Sequence, residues 1–539
     1  MMEINQFMVK SGKKRNILPI VFLCLFFSIY GIYLFFAFAQ VPMDSDFASL
    51  VLEANDILNG NILLKGWHLT NAPFTFTEIP FYVLGSAFFG INVWSYIFAN
   101  MAMVLSLFFF GFLLIFDRTD HPFNLFHLIF IAIAGFPNPY LMQTLRGHVG
   151  LFVIIFAALY CLKLINNLPE YSQQGKRLTI IFLILVVLGT ASDIFIFPIL
   201  IAPILFISVF KFINFIEITE KEKRIFWLTI LGVIFGKVCE KALVWAGGAP
   251  TSKRPSTFTY NNLYEIPQTI LKYIDYIFNT FGCNLNQVSV FSLESIIKII
   301  HLGILIWGTI IVFQTIKDFL RKEKADSLSL IISLGIVFLT ILIIILPFLQ
   351  DPLTGRYFSY FPTAYAILII RSIQINKIFV RFIPHTKISI KIPLEILSLF
   401  VILFSIQPIS ISRIVTPQDR LATFLRDNGL IEGYSDFWNS NHVIVSSKDR
   451  VRVRPIVFSA NKKTGERFAQ PLYWFSKSEW YKNPNANFVV IKTQGDYAGY
   501  HNVKIEHVLK YFGEPTQKLE FEDYIIFVYP KGISEKIVP

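Results

Sequence analysis

Residues 17–411 alternate between long apolar runs and short polar connections. Apolar segments occur near 17–39, 92–116, 125–137, 149–165, 178–191, 194–210, 225–246, 292–316, 327–348, 357–373 and 391–411, about eleven in all. A helix needs about 20 mostly apolar residues to span a bilayer, so 125–137 and 178–191 read as broken or tilted. Between the first two runs, residues 40–91 carry a different pattern. An amphipathic helix period begins near Phe47 and closes at Asn59-Gly60, followed by Trp67, His68, Pro73, Glu78 and Pro80. From about Pro417 the long runs stop, and short stretches with strand character follow: VIVSS from 443, VRVRPIVF from 451, NFVVIK from 487 and DYIIFVY from 523. A helix pattern from Gln418 to Asn428, closed by Gly429, joins the two regimes. The expected fold is a polytopic all-α membrane part over residues 1–416, with a soluble α/β domain over 417–539.

Composition agrees. The chain is 54% hydrophobic and 16% charged, with a mean hydropathy of +0.57, whereas ordinary soluble domains are about 25% charged. The net charge of +12 raises the question of nucleic acid, but the basic residues cluster between apolar segments, so no nucleic-acid partner is expected. Cys24, Cys161, Cys239 and Cys283 have neither disulfide nor zinc spacing. Lys10, Lys13, Lys14 and Arg15 precede an apolar run ending in Ala37-Phe38-Ala39, which resembles a signal peptide with its cleavage site. At 17–39 the run exceeds a signal core of about 7–15 residues, so a retained anchor is expected.

Charge also orients the segments. With the N-terminus in the cytoplasm, each interhelical cluster of three or more basic residues falls inside, as the positive-inside rule requires. The same assignment puts 41–90, 138–148, 247–291, 350–356, Asp193 and the tail on the outer face.

The candidate chemistry is concentrated in those stretches. Asp44 and Asp46 follow the first apolar run directly; either is suited to act as a general base, and Asp46 is equally suited to cap the helix that follows. Arg146 and His148 in LRGHVG, the pair Lys253 and Arg254, and Arg356 in DPLTGRYF offer positive charge for a phosphate, Arg being best suited to bidentate binding. Headgroup contacts, or an ion pair of Arg356 with Asp351, are the structural alternatives. Asp193 is a functional acid or a cap, and His148 a site residue or a structural histidine. Glu78, Trp67 and His68 are candidates for sugar contacts or for interfacial packing. Trp438, Trp474, Trp480 and Tyr481 in the tail read first as core.

A first membrane helix, an acid within a few residues of its outer end, a juxtamembrane helix ending in Asn-Gly and an aromatic, proline-containing return together resemble the GT-C glycosyltransferases. The likeness is to the branch that includes protein O-mannosyltransferases and the lipid A aminoarabinose transferase. It implies an inverting enzyme of a bacterial cytoplasmic membrane that uses a polyprenyl-phosphate-linked sugar as donor. A glycan, lipid or protein hydroxyl is the acceptor. By position, the family's base maps to Asp46, with Asp44 second. A divalent cation such as Mg or Mn remains compatible, and no metal ligands are assigned. Two other classes stay open: a transporter or flippase of a lipid-linked glycan, which predicts ionisable residues within the bundle such as Lys237 and Glu240, and a non-enzymatic assembly protein. An oligosaccharide ligase or polymerase is the nearer enzymatic alternative.

Overall fold

A computed structural model describes residues 18–70, 72–115, 125–135, 137–170, 172–249, 261–286, 288–289, 291–323, 325–346, 352–376, 391–406, 410–461, 463–495 and 498–537. The described chain is mostly helical up to residue 405 and rich in β-structure beyond 432. The first helix, α1 (Leu18–Ala39), is followed by α2 (Ser45–Leu58), a two-residue strand β1 (Trp67–His68), α3 (Ile79–Phe89) and α4 (Val93–Ile115). Next come α5 (Val149–Asn167), α6 (Gln173–Ser192), α7 (Glu220–Trp245), α8 (Ile266–Phe281), α9 (Leu293–Leu320) and α10 (Ser327–Ile345).

Among the described residues five helices are long and apolar enough to cross a membrane: α4, α5, α6, α9 and α10. The sequence pattern leads to about eleven, and five of the remaining segments depart from a long apolar helix for local reasons. The segment at 125–137 is a six-residue α-helix that passes into a π-helical turn at Ile131–Gly135, and the one at 194–210 begins with another at Phe197–Ile201. The last two apolar segments form helices of 17 and 15 residues, Tyr360–Asn376 and Lys391–Ser405. In α7 the apolar stretch is interrupted by Lys237, Glu240 and Lys241, the first two paired at 2.8 Å.

The most buried of the five is α5, which packs between α4 and α6. Tyr30, Leu34 and Phe38 of α1 are buried in the same core, with the Tyr30 ring 4.8 Å from Phe108. At the far ends of α4 and α5, Lys163 donates to the carbonyls of Leu113 and Leu114, where a cation complements a helix C-terminus. Arg371 at the same end pairs with Asp326 through hydrogen bonds of 3.0 and 2.9 Å.

The tail opens with α11 (Pro417–Asp427), started by a Thr416–Asp419 capping box and ended by Gly429 at φ +69°. Its strands are β2 (Glu432–Ser435), β3 (Arg452–Ala460), β4 (Arg467–Pro471), β5 (Ser476–Lys477), β6 (Phe488–Lys492), β7 (Gln517–Phe521) and β8 (Tyr524–Val528). Six of them form one mixed sheet in the order β4-β3-β2-β6-β8-β7, with β2 parallel to β3 and β6 and the other pairs antiparallel. The stretch at 443 that reads as a strand is instead a short helix, α12 (Asn441–Ser446). Val443, Ile444 and Val445 are all fully buried there, so packing overrides the β-branched preference. Ile444 and Val445 join the core of the membrane helices, as do Phe437 and Phe475. The tail therefore shares a hydrophobic core with the helical part.

Candidate functional site

The site is assembled where α2 begins. Asp44 holds the N-cap position, its Oδ1 accepting the Phe47 N–H at 3.2 Å. Asp46, the expected cap, lies in the first helical turn instead. Each acid faces an arginine from a different connection. Asp44 Oδ2 is 3.5 Å from Arg146 Nη1, and Asp46 Oδ2 is 3.7 Å from Arg356 Nη1. The four side chains are 12–21% exposed, which shields their charges from bulk water while leaving access.

Local contacts fix the Arg146 guanidinium and the stem of Arg356. Arg146 donates from Nη1 to the Pro42 carbonyl and from Nε to the Gln143 carbonyl, both at 2.6 Å, and lies 5.1 Å from the Phe47 ring. It follows the short helix Pro139–Thr144, whose start is capped by Asn138. Arg356 sits on the 3-10 turn Pro352–Phe358 and its stem runs past Gly147, where a Cβ would come within 2.9 Å of Arg356 Cδ. A glycine between Arg146 and His148 thus lets the second arginine approach the first. Asp351 lies outside the described residues, as do Lys253 and Arg254.

Behind the arginines is a buried layer of polar groups. His148 precedes α5 in the left-handed region at φ 62°, an unfavourable conformation for a residue with a Cβ. Its ring is held by Phe74, Phe195 and Tyr357, at centroid distances of 5.4, 4.9 and 5.1 Å, and its Nδ1 hydrogen-bonds Asp193. Asp193 is also the C-cap of α6 and accepts the Phe195 N–H at 3.0 Å, so it serves both as a cap and as the histidine's partner. Glu78 is fully buried and accepts the Gly150 N–H at 3.1 Å, bringing a carboxyl group to the N-terminus of α5. Burial, reinforced by the Asp193 carboxylate, pushes the Glu78 carboxyl up to about 8. Glu78 is thus a neutral acid at pH 7.

Trp67 and His68 fall elsewhere. Trp67 is buried, donates from Nε1 to Asp56 at 2.8 Å and meets the Trp480 ring edge-on at 5.1 Å. His68 Nε2 bonds Ser478 Oγ at 2.8 Å and its ring lies 4.2 Å from that of Tyr473. Both belong to a joint between the first connection and the tail, where β1 pairs with β5. Tyr481 is a core residue, its hydroxyl donating to the Pro455 carbonyl at 2.6 Å.

Tyr357 is a member of the site that sequence reasoning missed, although it sits in DPLTGRYF. Its ring stacks on Phe195 at 4.6 Å and lies 5.4 Å from the Arg356 guanidinium carbon, linking the histidine layer to the arginine. Asp44, Asp46, Arg146, Arg356, His148, Asp193 and Glu78 are therefore brought together from four separate parts of the chain. Among the described residues no group of three or more His, Cys, Asp or Glu is arranged to hold a metal ion; the two leading acids face arginines. No protein-family model and no curated protein matches the chain.

Proposed function

We propose that the chain is a membrane-embedded inverting glycosyltransferase of the GT-C type, transferring a sugar from a polyprenyl-phosphate donor to a hydroxyl acceptor. The observation that carries the reading is the pairing of Asp44 with Arg146 and of Asp46 with Arg356 beside the first helix. A general base next to fixed guanidinium groups is the arrangement that attack by a hydroxyl and departure of a phosphate require.

In the proposed step Asp46 takes the proton of the acceptor hydroxyl as its oxygen bonds to the anomeric carbon. The bond from that carbon to the phosphate oxygen breaks, and the electron pair leaves with the polyprenyl phosphate. Arg356 and Arg146 offset the charge that develops there. Asp44, engaged in capping, holds Arg146.

Convergence supports a single outer-face site. The apolar segments, oriented by the positive-inside rule, put 41–90, 138–148, 350–356 and Asp193 on one face, and residues from these parts meet around the acid pair. A site facing away from the cytoplasm has no access to nucleotide sugars, so its donor is lipid-linked. We place this site in a bacterial cytoplasmic membrane. Membranes carrying the protein, supplied with a panel of radiolabelled polyprenyl-phosphate sugars and an acceptor fraction, test the reading. Release of polyprenyl phosphate with label in the acceptor is expected, and absence of transfer from every donor would refute it.

A further inference from the structure

Two of the polar contacts between the tail and the first connection fall on one helix, α2. Along α2, Ser49, Glu53 and Asp56 recur at helical spacing and share a stripe. Ser49 Oγ accepts a 2.7 Å hydrogen bond from Asn441 Nδ2 of α12, and Asn441 Nδ2 also donates to the Phe475 carbonyl at 3.1 Å. Farther along, Asp56 is 3.1 Å from Lys477 Nζ. It also accepts from Trp67 Nε1 at 2.8 Å and Asn61 Nδ2 at 2.6 Å, which fixes the chain that leaves the helix. Beside these, the Ser478 N–H donates to the Gly66 carbonyl at 2.9 Å. The tail thus grips α2 at Ser49, one turn after Asp46, and again at Asp56, near the other end.

This grip is built by residues with no evident part in the tail's own sheet. The sequence 443–447 has strand character, yet 443–446 form part of the helix that packs on α2, and the neighbouring Asn441 and His442 are buried. Strand β5 pairs with β1 of the first connection and stands outside the six-stranded sheet.

We infer that Asn441 and Lys477 are positioning residues: through Ser49 and Asp56 the tail sets the rotation and axial place of α2, and hence of Asp44 and Asp46. The catalytic consequence rests on the glycosyl-transfer reading; the mechanical coupling does not.

Hydrogen exchange on the full chain in detergent or nanodiscs separates the two. In Asn441→Ala and Lys477→Met, amides of residues 47–58 are expected to exchange about fivefold faster or more, the scale of losing one net hydrogen bond or ion pair. Strands β3 and β6 should keep their protection, showing that the tail is still folded. Lys477→Arg, which keeps the charge, should resemble wild type. Ser49→Ala releases the same contact from the membrane side, and the double variant with Asn441→Ala should be no worse than either single one. Transfer should then fall in kcat, in the same order as the exchange rates rise, with the donor KM little changed.

Unchanged exchange in residues 47–58 would overturn the coupling. Faster exchange with undiminished transfer would overturn the positioning role. If wild type transfers from no donor, the glycosyltransferase reading fails, and the exchange data still decide the coupling.

Discussion

Asp44 and Asp46 are two residues apart, yet they face different arginines: Arg146 at 3.5 Å for the first and Arg356 at 3.7 Å for the second. The division follows from the helix start. An N-cap residue has extended backbone and turns its side chain back over the first turn, whereas a residue inside that turn projects outward. The two acids thereby acquire separate places, Asp44 at the cap and Asp46 within the first turn facing Arg356.

Replacing the arginines distinguishes charge from geometry. Arg356→Lys keeps a cation but loses the planar fork, and is expected to lower kcat/KM for the donor by about 10- to 100-fold. Arg356→Ala should lower it further. Arg146→Lys should also loosen the connection after α1, because Arg146 holds the Pro42 carbonyl. Donor-dependence curves in membranes check both.

Glu78 makes stability depend on pH with a definite sign. Its carboxyl is held neutral up to about 8 in the fold by burial and by Asp193, against about 4.5 when unfolded. The stabilisation from the neutral form is complete below pH 4.5 and is lost as pH rises towards 8, at roughly 1.4 kcal/mol per unit within that window. Glu78→Gln, which stays neutral and can still accept from Gly150, should be no less stable than wild type at pH 8 and should lose this part of the pH dependence. Thermal unfolding in detergent at pH 5, 6.5 and 8 measures it.

His442 has the opposite sign. Burial lowers its imidazole to about 4, against the pull of the Asp419 and Asp44 carboxylates. Its contribution is present above pH 6.5 and is lost as pH falls towards 4, because the unfolded ring takes up a proton first. His442→Gln should weaken the acid sensitivity of tail unfolding, read by tryptophan fluorescence between pH 4 and 7.

Gly150 is a packing test. A Cβ there would overlap the Thr77 carbonyl and the Glu78 backbone nitrogen, so the carboxyl-to-helix contact leaves no room for a side chain. Gly150→Ala is expected to cost about 1–3 kcal/mol, the usual range for overpacking, despite alanine's better helix propensity. A lowered unfolding temperature in detergent, with the loss concentrated around α5, checks it.

Local signals made part of this legible in the sequence. The amphipathic period ending in Asn59-Gly60 defined α2, the capping pattern after Pro417 defined α11, and alternating apolar residues marked β3, β6 and β8. The acids, Arg146 and Arg356 stood out because charged side chains at the ends of apolar runs are costly unless paired or used. Partners were not legible, since Arg146 and Arg356 reach the acids only through helix packing and the glycine at 147. Asp44 took the capping role expected of Asp46 because either can start a helix, and the extended backbone at Asp44 puts the first helical residue at Ser45. The 443 stretch misled because β-branched residues fit either a strand or a buried single turn. Among the described residues fewer helices are long enough to span than the apolar segments suggest, in part because hydropathy does not register π-turns or charges that interrupt a helix.

The most direct test compares sugar transfer by wild type, Asp46→Asn and Asp44→Asn in membranes with matched expression. Asparagine still caps a helix, so Asp44→Asn should retain α2 and lose about tenfold or less. Asp46→Asn removes the base and should lose at least about 100-fold. Full transfer by Asp46→Asn, with wild type active, would contradict the assignment of the base and with it the proposed mechanism.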